Sequence, residues 1–205
     1  MKARLHVVSA MVAAAWISGC NAGSPPPPDA NASYPEQLQA ARAVLDESFR
    51  SRPNQPVPPH LMDKLLPLAY FPPDTEYVVP ASLKLAQERI VIPMPTSTGE
   101  TRQEERVGVL EFTLKAQAMT LSAFIEAGSN DLNRLFVPFS DLTSGTETYA
   151  AGRYLDLERT ATGLYNIDFN KAYFPYCYYN TTYDCPYPPR ENRLPVAIRA
   201  GQRFP

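Results

Sequence analysis

The chain has 205 residues, with 22 prolines against 9 glycines and 19 Lys and Arg against 21 Asp and Glu, a formal charge of −2. A balance this near neutrality gives no electrostatic footprint for nucleic acid. The two histidines, His6 and His60, leave a histidine-based triad or a His-rich metal site without material, and no GxSxG, Walker, GxGxxG or SxxK motif occurs. Neither a metal nor a cofactor is expected.

Lys2 and Arg4 precede the apolar run LHVVSAMVAAAW and the small pair Ser18 and Gly19, the layout of a secretory signal too short to span a bilayer stably. The next residues, ISGC from Ile17 to Cys20, resemble the bacterial lipobox. That resemblance implies that residues 1–19 are a lipoprotein signal peptide and that Cys20 becomes an acylated N-terminus; the alternative is an ordinary signal with a chance cysteine. Three acyl chains would anchor the protein to a membrane firmly, at about 0.8 kcal/mol per buried methylene. Asn21, in place of Asp, points by the same resemblance to the periplasmic face of the outer membrane. NAGSPPPPDANAS follows, and Pro25 to Pro28 favour an extended spacer of about 3 Å per residue. Residues 20–34 thus form a lipidated, proline-rich tether and residues 35–205 a single globular domain. Losing Lys2 and Arg4 with the signal leaves 17 basic against 21 acidic residues, a charge of −4.

From Pro35 to Arg52 the apolar residues Leu38, Ala41, Leu45 and Phe49 recur at spacings of three and four, which predicts an amphipathic helix packed on the rest of the domain. Pro53, Pro56, Pro58 and Pro59 forbid helix until a short turn at Met62 to Leu66. Beyond Asp74 the period becomes two. EYVVPASLKL, ERIVIPM, RVGVLEFTL and MTLSAFIEA read as strands, with Leu110, Phe112 and Leu114 on one face. RLFVPF is a further strand; Arg153 to Leu157 and Leu164 to Asp168 flank a hairpin turn at Gly163, and RLPVAIRAG closes as a last strand. With no βαβ alternation, the expected class is mainly β, or α+β: an antiparallel sheet curled into a barrel or split sandwich, carrying the N-terminal helix and a long Pro- and Tyr-rich C-terminal loop.

Three stretches, LFVPFSDLTSGTETYAAGRYLDLE, NIDFNKAYFPYCYYN and YDCPYPPRENRLPVAIRAG, resemble the bacterial and archaeal family catalogued as domain of unknown function 1684. The likeness is strongest over 135–201 and looser over 35–134. It implies no activity, because the family has none assigned. Two positions depart from the family pattern: Phe174 stands where Asn is usual and Gln202 where Glu is frequent.

The loop from Asp168 to Asn192 holds six of the twelve tyrosines, four prolines and both Cys177 and Cys185. In an oxidising envelope those cysteines read first as a disulfide, with free thiols or a metal pair as alternatives. The loop is expected to wall a pocket with Asn170, Tyr173, Glu191 and Asn192 turned inward. Arg153, on a strand beside Leu155, needs a partner if buried, and Asp168 is the expected one; either Arg153 binds an anionic ligand or the pair is structural. DLTSGTET reads as a turn capped by Asp141 and Thr143 side chains. The candidate ligand-binding residues are Arg153, Asn170, Tyr173, Asn192 and Arg193, and the candidate catalytic acids are Asp168 and Glu191. Three functions compete: a tethered binding protein for a small polar or anionic ligand, a hydrolase or isomerase using paired carboxylates with tyrosine, and a structural envelope component. The first is preferred.

Overall fold

The structure is a computed structural model, and it describes residues 31–51, 53 and 55–205. The expected signal segment, Cys20 and most of the expected tether lie outside the described residues. Eighteen residues, Tyr34–Ser51, form helix α1, and a short helix α2 spans Met62–Leu65. Six strands follow: β1 (Val78–Pro95), β2 (Thr101–Leu114), β3 (Gln117–Glu126), β4 (Arg134–Phe139), β5 (Arg153–Glu158) and β6 (Tyr165–Asp168). They build one antiparallel sheet in the order β5-β4-β3-β2-β1-β6. None of the described helices is long and apolar enough to cross a membrane.

The sheet curls until its two end strands meet at one point. β5 and β6 are joined by the expected turn, but they pair only at its base, through the Arg159–Tyr165 bridge and Thr160 N–H donating to the Leu164 carbonyl at 2.8 Å. Above it they part. β6 hydrogen-bonds to β1 over Val78–Ala81, and the free edge of β5 takes Tyr173, with Tyr154 and Tyr173 exchanging bonds of 2.9 and 3.1 Å. The result is a nearly closed barrel with an opening between β5 and β6. Inside it lie Leu110, Phe112 and Leu114, all buried as the period-two pattern requires, beside Leu121, Val137, Ile167 and Phe169.

Two sequence expectations are corrected. EYVVPASLKL and ERIVIPM are one long strand, because the chain absorbs the interruption as a register shift between Leu85 and Ile90 without leaving the sheet. RLPVAIRAG is not a strand. It runs over the barrel as irregular chain, touching β-type partners singly at Ser140–Arg193 and Tyr70–Gln202.

That last segment is held by the most buried charge in the domain. Arg153 is 0% exposed, and one Nη donates to the Asp141 Oδ2 and the Ile198 carbonyl, each at 2.8 Å. The other Nη donates to the carbonyls of Ala200 and Gln202. The partner is therefore Asp141, not Asp168, and the arginine is spent on the fold. Burial pulls its proton affinity down while Asp141 opposes that shift.

Candidate functional site

Helix α1 begins with one half of a capping box: Ser33 N–H and Oγ both donate to the Glu36 carboxylate at 2.7 Å. The next residue, Tyr34, donates its hydroxyl to both Asp168 oxygens at 2.8 and 2.9 Å, which pins the helix to the end of β6. Burial and that carboxylate push the Tyr34 phenol well above its ordinary range. Asp46 accepts the Leu68 N–H at 2.9 Å further along. Between these anchors the helix stands off the barrel and leaves a cleft of ≈ 260 Å³.

One wall of the cleft is the predicted helix stripe, Leu38, Ala41, Leu45 and Phe49; the facing wall is Phe174, Tyr176 and Tyr179 from the Tyr-rich loop. Phe49 meets Tyr176 and Tyr179 edge-on with centroids 6.0 and 5.8 Å apart. Polar groups enter at one end. Asn170 is fully buried; its Nδ2 donates to the Asp74 carbonyl at 2.8 Å and its Oδ1 accepts the Asp74 N–H at 2.9 Å. Beside it sits Arg42, which the sequence analysis did not single out. Its guanidinium lies 4.1 Å above the Tyr70 ring and donates weakly to the carbonyls of Phe71 and Asn170, at 3.4 and 3.2 Å. Its Nε is buried without an acceptor, and burial lowers its pKa.

The charges around this cleft are one-sided. Arg42 and Lys171 line it, and none of the described lining residues is Asp or Glu. Lys171 has Asp168 at 3.7 Å, whereas Arg42 forms no ion pair among the described residues. Gln202 is decisive here: where the family resemblance implies Glu, its neutral Oε1 accepts the Phe174 N–H at 2.8 Å and its Nε2 donates to the Tyr179 hydroxyl. Phe174 lies in an aromatic cluster with Tyr178 and Phe204, at 4.6 and 5.7 Å, and makes this end of the cleft apolar.

The remaining candidates scatter. Asp168 serves as a hub, accepting from Tyr34, from Asn170 N–H and from Asn170 Nδ2, and it faces the opening between β5 and β6. Glu191 is exposed and pairs loosely with Arg106 at 3.8 Å, and it does not line the opening that Asp168 faces. Asn192 is buried but structural: β3 and β4 pair only at Phe124–Phe136, and beyond it the Asn192 side chain bridges Ser122 N–H (2.7 Å), Ser122 O (2.9 Å) and Pro138 O (2.8 Å). Arg153 is enclosed as described, and Arg193 is exposed on the surface. Of the five expected ligand contacts, Asn170 and Tyr173 line the cleft.

Cys177 and Cys185 are buried neighbours, but they are free thiols here and not the disulfide expected from the sequence. Cys177 N–H donates to Cys185 Sγ at 3.1 Å. The thiol of Cys185, hydrogen-bonded to Cys177, draws the latter's pKa down to about 6, while the same contact raises that of Cys185.

Arg42 carried a faint signal, a cation embedded in the apolar stripe of α1. Lys171 and Tyr70 carried none, since only the fold sets their neighbours.

Comparison with known proteins places the chain. None of the curated proteins matched it. Among solved structures it is similar to the solution NMR structure of an uncharacterised protein from Haloarcula marismortui, at 37% identity and a TM-score of 0.65, over 82% of this chain and 92% of that one. The family model described as a protein of unknown function, DUF1684, matches residues 64–203. The chain belongs to the DUF1684 family.

Proposed function

We propose that this is a lipid-anchored envelope protein whose domain binds a small amphiphilic anion, a carboxylate with an apolar body, in the cleft between α1 and the Tyr-rich loop. One observation carries the reading: the cleft is lined by two cations and no acid, and Arg42 is half-buried without an ion partner. A desolvated guanidinium that lacks a carboxylate is costly to keep, and a bound carboxylate would accept from its fork of donors. The apolar walls then take the rest of the ligand. The anchor rests on the first twenty residues and the proline-rich segment after them. Paired-acid catalysis gains no support, because Glu191 does not line the opening that Asp168 faces.

Calorimetric titration of the full-length protein, with phenylacetate and with its neutral amide as probes, tests the site. Phenylacetate should bind at least about tenfold more tightly than phenylacetamide, and Arg42→Met should erase the difference. Equal binding of acid and amide, or an unchanged preference in Arg42→Met, would overturn the assignment. For the anchor, cells fed an alkyne-tagged palmitate should label the wild type and not Cys20→Ser; label retained by Cys20→Ser refutes it.

A further inference from the structure

We propose a second site, on the outer face of strands β2 to β5, that takes an organic ammonium cation. The argument starts from Glu104. It is 7% exposed, its carboxylate makes no hydrogen bond or ion pair among the described residues, and burial raises its pKa. Directly opposite on β3 stands Glu126, its register partner, so both carboxylates are on the same face of the sheet. Like charges facing across two strands are unfavourable, and more so when one of them is largely buried. A core that needed only to fold would have no use for this pair.

The pair opens onto a groove of ≈ 570 Å³ whose other wall is aromatic: Phe136, Tyr154 and Tyr173. The Tyr154 ring stands nearly perpendicular to both neighbours, at 82° to Phe136 with centroids 4.8 Å apart and at 87° to Tyr173 with centroids 5.8 Å apart. Their polar tips are engaged elsewhere: Tyr154 donates to the Pro186 carbonyl, and Tyr173 donates to Asp156 at 2.8 Å. What these residues offer a ligand is π-surface. The one cation on the rim, Arg102, attracts Glu104 through space, but its hydrogen bond goes to the Asp184 carbonyl at 2.6 Å and its ion pair to the Asp184 carboxylate at 3.8 Å. Two carboxylates against one cation, beside perpendicular rings, suit a ligand whose positive charge is spread over an apolar shell. Tyr173 separates this groove from the α1 cleft, and the two have opposite charge, so the second site stands whether or not the first binds anions.

Choline and its uncharged carbon isostere 3,3-dimethylbutan-1-ol have nearly the same shape, so chemical-shift titration of the full-length protein with each isolates the charge. Choline should shift resonances of β2, β3 and Tyr154 and bind at least about tenfold more tightly than the alcohol. Glu104→Gln should weaken choline about tenfold and leave the alcohol unchanged, and Glu126→Gln, an exposed change that leaves the packing intact, should act in the same direction. Equal binding of choline and the alcohol, absence of choline binding, or wild-type choline affinity in both variants would overturn the proposal.

Discussion

Replacing Arg153 with Met should destabilise the domain by about 4 kcal/mol, out of the 5–15 kcal/mol typical of a folded protein. Met keeps much of the length and removes the charge and every donor. Asp141, 2% exposed, then loses the guanidinium that sits 2.8 Å from its Oδ2. Breaking a buried pair from one side typically costs about 3–5 kcal/mol, because the surviving charge is stranded. The carbonyls of Ile198, Ala200 and Gln202 lose their donors as well, which places the value no lower than the middle of that range. Asp141 can take up a proton and relieve part of the loss, which sets the upper bound. The assay is urea unfolding followed by far-ultraviolet circular dichroism, since the single tryptophan, Trp16, lies outside the described residues. With a slope near 2 kcal/mol per molar urea, the midpoint should fall by about 2 M. Asp141→Leu combined with Arg153→Met should be milder than the two single losses added, by about 2 kcal/mol, because neither charge is then stranded. A midpoint shift in Arg153→Met below about 0.5 M, or strict additivity, would refute the claim that this pair holds the C-terminal segment.

Gly201 has φ +78°, and a Cβ there would meet the carbonyl oxygens of Phe169 and Ala172 at 2.6 and 2.7 Å. Gly201→Ala should therefore cost about 3 kcal/mol, whereas Gly99→Ala, at a similar φ of +86° with open space around it, should cost about 1 kcal/mol; paired thermal melts decide it, and similar losses would contradict it. Glu104 supplies a pH prediction. Its folded-state pKa is raised by burial above the ordinary value, so its protonated form favours the fold: that stability is present below the unfolded pKa and is lost as pH rises through the folded one. Glu104→Gln should accordingly gain stability over wild type at pH 8 and little at pH 4, and a gain independent of pH would show that the carboxylate is not desolvated.

How much of this could be read from the chain depends on the range of the interaction that decides each feature. The alternation of Leu110, Phe112 and Leu114 and the stripe of Leu38, Ala41, Leu45 and Phe49 are local periodicities, and they emerge as the barrel lining and the wall of the cleft. The β2–β3 turn carries no such signal: Lys115 and Ala116 hold positive φ of 48° and 62° without Gly or Asn. Tyr77 contributes what the turn sequence lacks, accepting from Lys115 Nζ at 3.2 Å with its ring 4.3 Å below the ammonium. The surroundings of Asp168 and Glu191 were hidden for a related reason. Both residues sit in the same unusual loop, but each meets a partner distant in sequence, Asp168 with Tyr34 and Glu191 with Arg106.

The Asp141 turn shows how a correct local reading can hide a distant one. Asp141 Oδ1 accepts from Thr143 N–H and Oγ1 at 2.7 and 2.6 Å, the expected turn cap. A carboxylate has two oxygens, and the second goes to Arg153. The same logic explains why RLPVAIRAG forms no strand. The chain bends at Ala200 and Gly201, and the carbonyls of Ile198, Ala200 and Gln202 all converge on one guanidinium, which takes the place of a neighbouring strand. On the opposite side Gly201 O accepts the Phe71 N–H at 2.9 Å. Fixed from both sides, residue 202 directs its side chain between Phe174 N–H and the Tyr179 hydroxyl, into the α1 cleft. Arg153 therefore never meets a ligand in this arrangement, yet it sets the position of Gln202, which keeps the cleft free of negative charge opposite Arg42. The residue that looked most like an anion-binding arginine in the sequence supports, from inside the core, the cleft in which another arginine is open to one.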